Sequence, residues 1–434
     1  MDRIGQSRGA LRIISVALSF LLAFGVLTTL PTTAYADDQY VCMIGDVGYR
    51  TIDEAVSSSR NGATIKLLAN IDRTMGGTEV TFEGNPWCSA SLFIGSKSIT
   101  IDTNGFVLNV GRYFDHDSYG NDFSEAKYCT FGIWVINGGR LNLIDSSPQQ
   151  TGQLNATGYY PVYVGGTDSM VTVSNVVGVG GRWVLAQHGG SITVTGDITG
   201  SAAVAAKAEN GSSITVMGNV SANAATALLA TGSGSSIEVH GDVTSVSSAG
   251  SSGSVINATE DASIKVHGNV SSDASSGVLA EGADTTVEIK GNLSAAQGTG
   301  VQAVGGATVS IDGTLTASYY IKLGTSSDDI TLYPKESGRT SQRKPNYYEY
   351  TDNTNYVYVR SDGSIIDNSA GIPGSGDLYG RGYASMDVAL VAARVVVGAE
   401  VSLTPAQFAA IDMDFDGALT MTDVLLIMRK ACGL

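Results

Sequence analysis

The chain is poor in basic residues, proline, cysteine and aromatic side chains. The shortages of basic residues and of cysteine limit the class of protein to which it can belong. Its 25 Lys and Arg face 41 Asp and Glu, for a formal charge of −16. This balance argues against a nucleic-acid-binding surface, because an acidic surface repels phosphate. Four cysteines are too few for a disulfide scaffold. With 43% apolar residues the chain can still bury a core, which argues against disorder, and its 54 glycines favour short strands joined by turns.

One long apolar run is present, at residues 13–30, after three arginines and before the small-residue motif Ala34-Tyr35-Ala36. This pattern predicts a signal peptide over residues 1–36, with the mature chain beginning at Asp37. An uncleaved transmembrane anchor is the less favoured alternative, because a cleavage motif follows the run directly. No second run of this kind follows. We therefore expect a secreted, extracellular protein with no transmembrane segment after processing, or one attached to the cell surface through a partner.

The cysteines allow one disulfide in an exported protein. Cys42, Cys88 and Cys129 are the candidates, and the sequence does not choose the pair. Cys432 lies near a predicted helix end, where we expect it to be a small apolar packing residue.

A nine-residue unit recurs six times in the middle of the chain. Each copy has two apolar residues in alternation, a glycine followed by Asp, Asn or Thr, and a further apolar residue; the copies begin at Ser191, Ser213, Ser236, Ser263, Thr286 and Thr308. A recurrence every 22–27 residues indicates a solenoid, and alternation with a period of two indicates strands. A second short strand pattern follows each glycine. The spacing predicts a parallel β-helix whose turns stack about 4.8 Å apart. In the longest repeat, the inward pair is either Val255 and Asn257 or Ile256 and Ala258.

The outward positions of the repeats predict which side chains become neighbours. Glu238, Lys265 and Glu288 align in successive repeats, so opposite charges should lie side by side. His240 and His267 also align and should stack. They are either a metal or ligand ridge or part of a solvated face. We favour the solvated face, because no row of carboxylates aligns beside them.

The strand pattern continues less regularly upstream of the repeats. Residues 49–56 predict an amphipathic helix and residues 61–71 a buried strand, and further strand patterns occur at 98–108, 139–144 and 170–173. Over residues 40–335 these segments resemble pectate-lyase-like right-handed β-helix proteins. The resemblance implies a right-handed winding and a helix that covers the open end of the apolar column.

Residues 328–367 are rich in tyrosine and in Arg and Lys. This segment is either a sugar-stacking surface or, as we favour, an aromatic cap on the last repeat. We assign residues 37–367 to the β-helix domain, including this end. The Gly- and Ser-containing residues 368–376 are expected to be a flexible linker.

The most specific motif lies near the C-terminus, where residues 412–423 match an EF-hand-type loop. Oxygen ligands at alternating positions surround one calcium ion in such a loop, and Gly417 allows its sharp turn. The predicted ligands are the carboxylates of Asp412, Asp414, Asp416 and Asp423, the carbonyl of Ala418, and Thr420 by hydroxyl or through water.

A degenerate copy of this loop begins at Asp377, 35 residues upstream. It places Tyr379, Arg381 and Val388 where oxygen ligands are needed, so we expect a single calcium ion, in the second loop. Together the two copies, over residues 377–434, resemble a type I-like dockerin.

The dockerin resemblance implies a partner, the cohesin domain of a scaffolding protein. In that family the end of the loop and the following helix contact the cohesin, which here implies Met421, Thr422 and Arg429. The expected protein is therefore mainly β, a right-handed parallel β-helix with a small α-helical, EF-hand-like dockerin, docked into an extracellular complex.

Two functions remain for the β-helix domain. It is either a non-catalytic module that binds polysaccharide or a surface glycan, or a polysaccharide lyase or glycoside hydrolase. An enzyme of this architecture needs positioned carboxylates or a calcium cluster with a basic residue. The candidates are Asp115, His116, Asp117, Asp122, Arg140 with Asp145, and Arg182 with His188. We favour the binding module, because no recognisable catalytic motif is present and the small outward residues offer little for a cleft.

Overall fold

The computed structural model of the protein describes residues 40–73, 78–82, 84–111, 129–158, 160–178, 183–200, 204–246, 253–326, 329–361, 386–397, 408, 411–413 and 418–431. The predicted signal peptide, the predicted linker and Cys432 lie outside these residues. Among the helices described, none is both long and apolar enough to cross a membrane.

The described elements are mostly short strands. The α-helices are α1 (Ile52–Ser58), α2 (Met386–Val396) and α3 (Met421–Ala431), and a 3-10 turn covers Lys335–Ser337. The first strands are β1 (Cys42–Ile44), β2 (Val47–Tyr49), β3 (Ala63–Leu67), β4 (Ile71–Arg73), β5 (Thr78–Phe82), β6 (Asn85–Ile94), β7 (Ser98–Asp102), β8 (Val107–Val110), β9 (Cys129–Ile136), β10 (Arg140–Ile144), β11 (Gln153–Gly158), β12 (Tyr160–Gly165), β13 (Met170–Val173), β14 (Asn175–Gly178) and β15 (Val184–Gln187). The later strands are β16 (Ser191–Val194), β17 (Ile198–Gly200), β18 (Ala206–Glu209), β19 (Ser213–Val216), β20 (Val220–Ala222), β21 (Leu228–Thr231), β22 (Ser236–Val239), β23 (Val243–Ser245), β24 (Ser254–Thr259), β25 (Ser263–Val266), β26 (Val270–Ser272), β27 (Ser276–Glu281), β28 (Thr286–Ile289), β29 (Leu293–Val304), β30 (Thr308–Ile311), β31 (Leu315–Ser326), β32 (Asp329–Tyr333), β33 (Arg339–Thr340), β34 (Tyr347–Thr351) and β35 (Tyr356–Arg360).

These strands form two long sheets whose pairing is mostly parallel. The first sheet has 15 strands and contains β1–β3, the upstream strands β7, β10 and β13, one strand from each of the six repeats, and β33–β35. The second sheet has 20 strands and receives the two following strand segments of each repeat. Antiparallel pairs occur at the ends of the first sheet and in the β5–β6 and β31–β32 pairs. The prediction of a mainly β chain built from stacked parallel strands is confirmed. We call residues 191–316 of these sheets the repeat array.

The register of the repeat array is the one that the sequence predicts. Ile192 of β16 pairs with Ile214 of β19, and the column continues in the same register through the next four strands. The inward side chains of both sheets belong to one continuous apolar core in which nearly every member is inaccessible to solvent. In the longest repeat, Ile256 and Ala258 pair with Leu228 and Ala230, which settles the inward pair that the sequence left open.

A ladder of Asn and Asp side chains explains the glycine that recurs in each repeat. Asp242 N–H donates to Asn219 Oδ1 at 2.9 Å, and Asn269 N–H donates to Asp242 Oδ1 at 2.6 Å. The same bond recurs at the equivalent bends before and after them. A Cβ at Gly241 would lie only 2.5 Å from Asn219 Oδ1 and from Gly218 O. Glycine is needed at this position because successive bends approach too closely for a side chain.

Helix α1 packs against the first strands, as the sequence predicts. Its N-cap is Thr51, whose Oγ1 accepts a hydrogen bond from Glu54 N–H at 3.2 Å, which satisfies one of the free N–H groups of the first turn. Ile52, Ala55 and Val56 are buried in the continuous core. The helix therefore shields the apolar interior beside β1 and β3.

The tyrosine-rich segment closes the opposite end of the core. Strand β35 pairs in parallel with β30, and β34 then pairs antiparallel with β35. Tyr350 is buried in the continuous core, and Tyr347 donates to the buried carboxylate of Asp312 at 2.5 Å. Tyr350 therefore caps the core, in agreement with the cap interpretation, whereas Tyr356 and Tyr358 lie in register with the outward Thr308 and Ser310.

The structure reduces the number of cysteine pairs that can form the disulfide. Cys42 is a free, buried thiol, whereas Cys88 is disulfide-bonded. The parallel pairing of β6 with β9 places Cys129 directly opposite Cys88. Of the three candidate pairs, only the pairing of Cys88 with Cys129 agrees with a free Cys42.

Candidate functional site

Helices α2 and α3 share a small apolar core. Val388 and Ala392 lie one turn apart on α2, and Val424 and Ile427 share one face of α3. These four side chains are buried together with Ala389 and Ile411. Apolar residues at this spacing form one stripe on a helix, so each helix buries one face against the other. We call these two helices and the described residues between them the helix pair.

The predicted calcium loop joins the two halves of this core. Asp423 is fully buried, and its Oδ1 accepts a hydrogen bond from Met413 N–H at 2.7 Å. Its Oδ2 accepts from Thr420 N–H at 2.8 Å and from the Thr420 hydroxyl at 3.2 Å. Thr420 in turn caps α3, because its Oγ1 accepts from Thr422 N–H at 3.1 Å. The last predicted ligand therefore links the first and last parts of the loop.

The other predicted calcium ligands are only partly within the described residues. Asp412 is buried, Thr420 is half-buried and Ala418 is exposed. Asp414 and Asp416 lie outside the described residues. Burying a carboxylate is unfavourable unless hydrogen bonds or a cation compensate for the lost water. Two buried aspartates at the two ends of a loop that carries further aspartates are therefore the donor set that a hard cation such as calcium prefers.

The predicted partner-binding residues lie on the exposed side of α3. Met421 is 51% exposed, and Thr422 and Arg429 are also exposed. The structure adds two residues that the sequence reasoning missed, Leu425 at 56% exposure and Met428 at 36%. Positions 421, 425 and 428 follow the helical spacing of one face, and this spacing was the signal that could have revealed them. They form an exposed apolar stripe, which we call the α3 stripe.

The catalytic candidates within the described residues do not form a cluster. Arg140 contacts the exposed Asp168 at 3.5 Å. Asp145 accepts N–H hydrogen bonds from Gly105, Ser147 and Gly152 at 2.8, 3.0 and 2.6 Å. Although burial acts in the opposite direction, these bonds hold the pKa of Asp145 below its ordinary value. Asp145 is thus an ionised residue that organises a turn.

The remaining catalytic candidates give no site that can be described. His188 lies in a turn between β15 and β16, with a positive φ of 53°. Asp115, His116, Asp117, Asp122 and Arg182 lie outside the described residues.

The outward histidines of the first sheet, His240 and His267, have a carboxylate neighbour, Glu238, which the sequence did not reveal. The rings of His240 and His267 stack, with centroids 4.5 Å apart and planes 4° apart. Glu238 Oε1 lies 2.8 Å from His267 Nε2. The sequence predicts no row of carboxylates beside the histidines, and this single carboxylate reaches His267 by a diagonal contact between neighbouring strands, which alignment of equivalent positions does not show.

Predicted charge pairing on the same face is confirmed. Glu238 pairs in register with Lys265, and Lys265 Nζ lies 3.6 Å from Glu238 Oε1. Lys265 also pairs in register with Glu288. Although partial burial acts in the opposite direction, the hydrogen bond from His267 and the charge of Lys265 lower the pKa of Glu238, which therefore stays ionised.

Comparisons with known proteins return nothing for this chain: no protein-family model matches it, and neither does any curated protein or solved structure.

Proposed function

We propose that this protein is a secreted, dockerin-bearing right-handed parallel β-helix that is docked into an extracellular complex by calcium-dependent binding to a cohesin domain. In this proposal the β-helix domain is a non-catalytic module that binds carbohydrate or serves as an adhesin. The observation that carries the proposal is the α3 stripe, which places exposed apolar side chains at the end of the predicted calcium loop and on the helix that follows it.

The α3 stripe supports docking because its composition differs from that of an ordinary solvated helix face. Met421, Leu425 and Met428 are exposed, whereas Val424 and Ile427 of the same helix are buried. An amphipathic helix with a second apolar stripe is suited to bind a groove in a partner. Met side chains adapt to irregular surfaces, and Arg429 adds a charged contact at the end of the stripe.

The structure of α2 supports a single calcium ion. Val388 occupies the last ligand position of the degenerate first loop, and its side chain is completely buried in the core of the helix pair. An apolar side chain in that place offers no oxygen to a cation. The second loop, with Asp412, Asp414, Asp416, Ala418, Thr420 and Asp423, is therefore the proposed site of one calcium ion.

The stacking of the repeats supports a β-helix. Each regular repeat adds one strand to the first sheet and two to the second, and equivalent residues of successive repeats pair in parallel. A chain that returns to the same register after each repeat, around one apolar core, is the geometry of a solenoid.

One patch on the second sheet supports carbohydrate as the ligand class. The Lys207 ammonium lies 5.2 Å from the centroid of the Trp183 ring, and Lys207 also forms an ion pair with Glu209. Gln187 donates to Glu209 and accepts from the Tyr163 hydroxyl at 3.1 Å. Tyr163 and Gln187 are buried, so the partly buried Trp183 ring and the charged groups of Lys207 and Glu209 are the parts of this patch suited to stack against and bond to a sugar ring.

Binding of the full chain to an immobilised panel of cohesin domains tests the docking proposal. We expect at least one cohesin to retain the protein in calcium and to release it in EGTA. Leu425→Asp should abolish retention, because it places a charge in the α3 stripe. Leu332→Asp is the matched control, since Leu332 is an exposed leucine on β32. Retention by no cohesin, retention in EGTA, or equal loss in both variants would contradict the proposal.

The role of the β-helix domain needs a separate assay. Incubation with a polysaccharide panel should show co-sedimentation with at least one insoluble polysaccharide, weakened by Trp183→Ala, without release of reducing ends or unsaturated uronides. Release of either product would favour the alternative function, a polysaccharide-degrading enzyme. Co-sedimentation unaffected by Trp183→Ala would remove the patch on the second sheet from the proposal.

A further inference from the structure

The outward face of the first sheet brings together three side chains that metals prefer as ligands. Glu238 lies on β22, His240 follows two positions later, and His267 comes directly after β25. Residues two apart on a strand face the same side, so Glu238 and His240 both point outward. His267 N–H donates to Val239 O at 2.8 Å, which extends the pairing of the two strands beyond their ends. His240 and His267 are therefore held side by side by the backbone.

The three side chains already lie close enough to meet a single ion. One ligand atom of each lies within 4.8 Å of the ligand atoms of the other two, and the shortest separation is the 2.8 Å between His267 Nε2 and Glu238 Oε1. Around a tetrahedral Zn²⁺ with bonds of about 2.0–2.1 Å, neighbouring ligand atoms are roughly 3.3 Å apart. Side-chain rotations that shift these ligand atoms by about 1 Å reach this spacing without moving the strands.

We propose that Glu238, His240 and His267 form a binding site for a divalent transition-metal ion of the Zn²⁺ type. Two imidazoles and one carboxylate suit Zn²⁺, Cu²⁺ or Ni²⁺, whereas calcium prefers oxygen ligands alone. The ion takes the place of the hydrogen bond between His267 and Glu238. All three residues are half-buried, which limits but does not prevent access of water.

Three protein ligands leave the coordination of the ion incomplete. A tetrahedral ion keeps a fourth position for water or for a ligand from outside, whereas structural zinc sites are closed by four protein ligands. The site lies on the outer surface of the repeat array and is separate in sequence from the calcium loop. Its ion can therefore bind an oxygen or nitrogen donor from a partner or glycan without rearrangement of the fold.

The ammonium group of Lys265 competes with the ion for the carboxylate of Glu238. Its Nζ lies 3.6 Å from Glu238 Oε1, so it already neutralises the carboxylate that the ion would use. Lys265 is 40% exposed, and its other register neighbour is Glu288. The ammonium can turn away from Glu238 when the ion arrives, but its charge lowers the affinity of the site. Removal of this charge should consequently strengthen metal binding.

Titration of the full chain with Co²⁺ in saturating calcium tests the proposal. Calcium fills the oxygen sites, and Co²⁺ in a nitrogen- and oxygen-ligated site gives visible absorption bands that Zn²⁺ then abolishes by displacement. We expect one such Co²⁺ per chain. His240→Asn and His267→Asn should each weaken its binding at least as much as loss of a supporting hydrogen-bond partner does, about 10–100-fold. His188→Asn, in a turn outside the cluster, is the matched control and should leave the affinity unchanged.

A substitution that strengthens metal binding distinguishes loss of a ligand from loss of the fold. Lys265→Gln should raise the affinity for Co²⁺ severalfold, an effect that misfolding cannot produce. Glu238→Gln keeps the side-chain size and should weaken binding. Absence of the visible bands, equal affinity in the His240 and His267 variants and the wild type, or an unchanged or lower affinity in Lys265→Gln would each overturn the proposal.

Discussion

The repeat array and the helix pair solve the same problem, the burial of an apolar face, on very different scales. In the array, every repeat adds its inward side chains to one core that runs from α1 to the tyrosine-rich end. Among the described residues of the helix pair, six apolar side chains are buried. Domains below about 70–80 residues rarely gain more than 3–5 kcal/mol from their core alone and commonly use a metal or a disulfide as well. The array is stabilised by repetition, whereas the helix pair, with its small core, is the region that we expect to depend on the proposed ion.

The largest effect should come from a charge placed inside the array. Val239→Asp puts a carboxylate at a fully buried position, inside a core whose described members are apolar. The cost should be roughly 3–5 kcal/mol, the range for an uncompensated buried charge. Val177→Asp on β14 is the matched control, because Val177 is 46% exposed and its substitution should be nearly neutral. Thermal denaturation of both variants measures the difference, and equal melting temperatures would show that the inward assignment is wrong.

Removal of calcium should separate the two regions. Without the ion, the carboxylates of the second loop repel one another, and α3 should lose its N-terminal support. Hydrogen exchange in EGTA should therefore accelerate in residues 386–397 and 418–431 and stay unchanged in residues 191–316. Equal protection of the helix pair with and without calcium would contradict its dependence on the ion, and loss of protection in the array would contradict the contrast between the regions.

A smaller effect should follow from a methyl group at a bend of the array. Gly241→Ala places a Cβ 2.5 Å from Asn219 Oδ1 and from Gly218 O, so the Asn and Asp ladder must shift. Overpacking of this kind costs typically about 1–3 kcal/mol. Gly95→Ala is the control, since its Cβ would meet only the Phe93 ring, at 3.7 Å. Urea denaturation should rank Gly241→Ala well below Gly95→Ala, and equal midpoints would remove the close approach as the reason for the glycine.

The smallest effect concerns the thiol of Cys42, at the end of the core that α1 covers, which should not react with an alkylating reagent. Burial, with a contribution from the charge of Glu54, raises the pKa of Cys42 to about 11. The raised pKa keeps Cys42 protonated at pH 8, and only the thiolate reacts quickly. Iodoacetamide at pH 8 should leave Cys42 unmodified in the native protein and alkylate it after denaturation, as mass spectrometry can measure. Rapid alkylation of the native protein would show that this end of the array opens readily.

Much of the array is predictable from the sequence because its signals repeat. The period and the alternation of apolar residues gave the register, and the pairing of Glu238 with Lys265 followed from it. The longest repeat was ambiguous, because its extra residues shift the alternation by one, and only pairing with β21 selects Ile256 and Ala258. The contact between Glu238 and His267 was missed for a related reason. A diagonal neighbour depends on side-chain rotamers, which a linear pattern does not contain.

The calcium loop of the helix pair stays a prediction, and the exposed surface of α3 could be predicted only in part. Spacing of oxygen donors identifies a loop because the ion dictates the ligands. The role of Asp423 as acceptor for Met413 and Thr420 N–H groups depends on the fold of the loop. Exposure of Leu425 and Met428 likewise depends on which face of α3 meets α2, and the sequence of α3 carries apolar residues on both faces.

Isothermal titration of calcium into the metal-free full chain tests directly whether the second loop binds the ion. We expect one calcium ion per chain in the wild type, one in Asp377→Ala, and none in Asp414→Ala. The reason is that the second loop supplies the oxygens and the first loop buries Val388 in place of a ligand. Two ions in the wild type would contradict the degenerate first loop, and none would contradict the dockerin-like docking module itself.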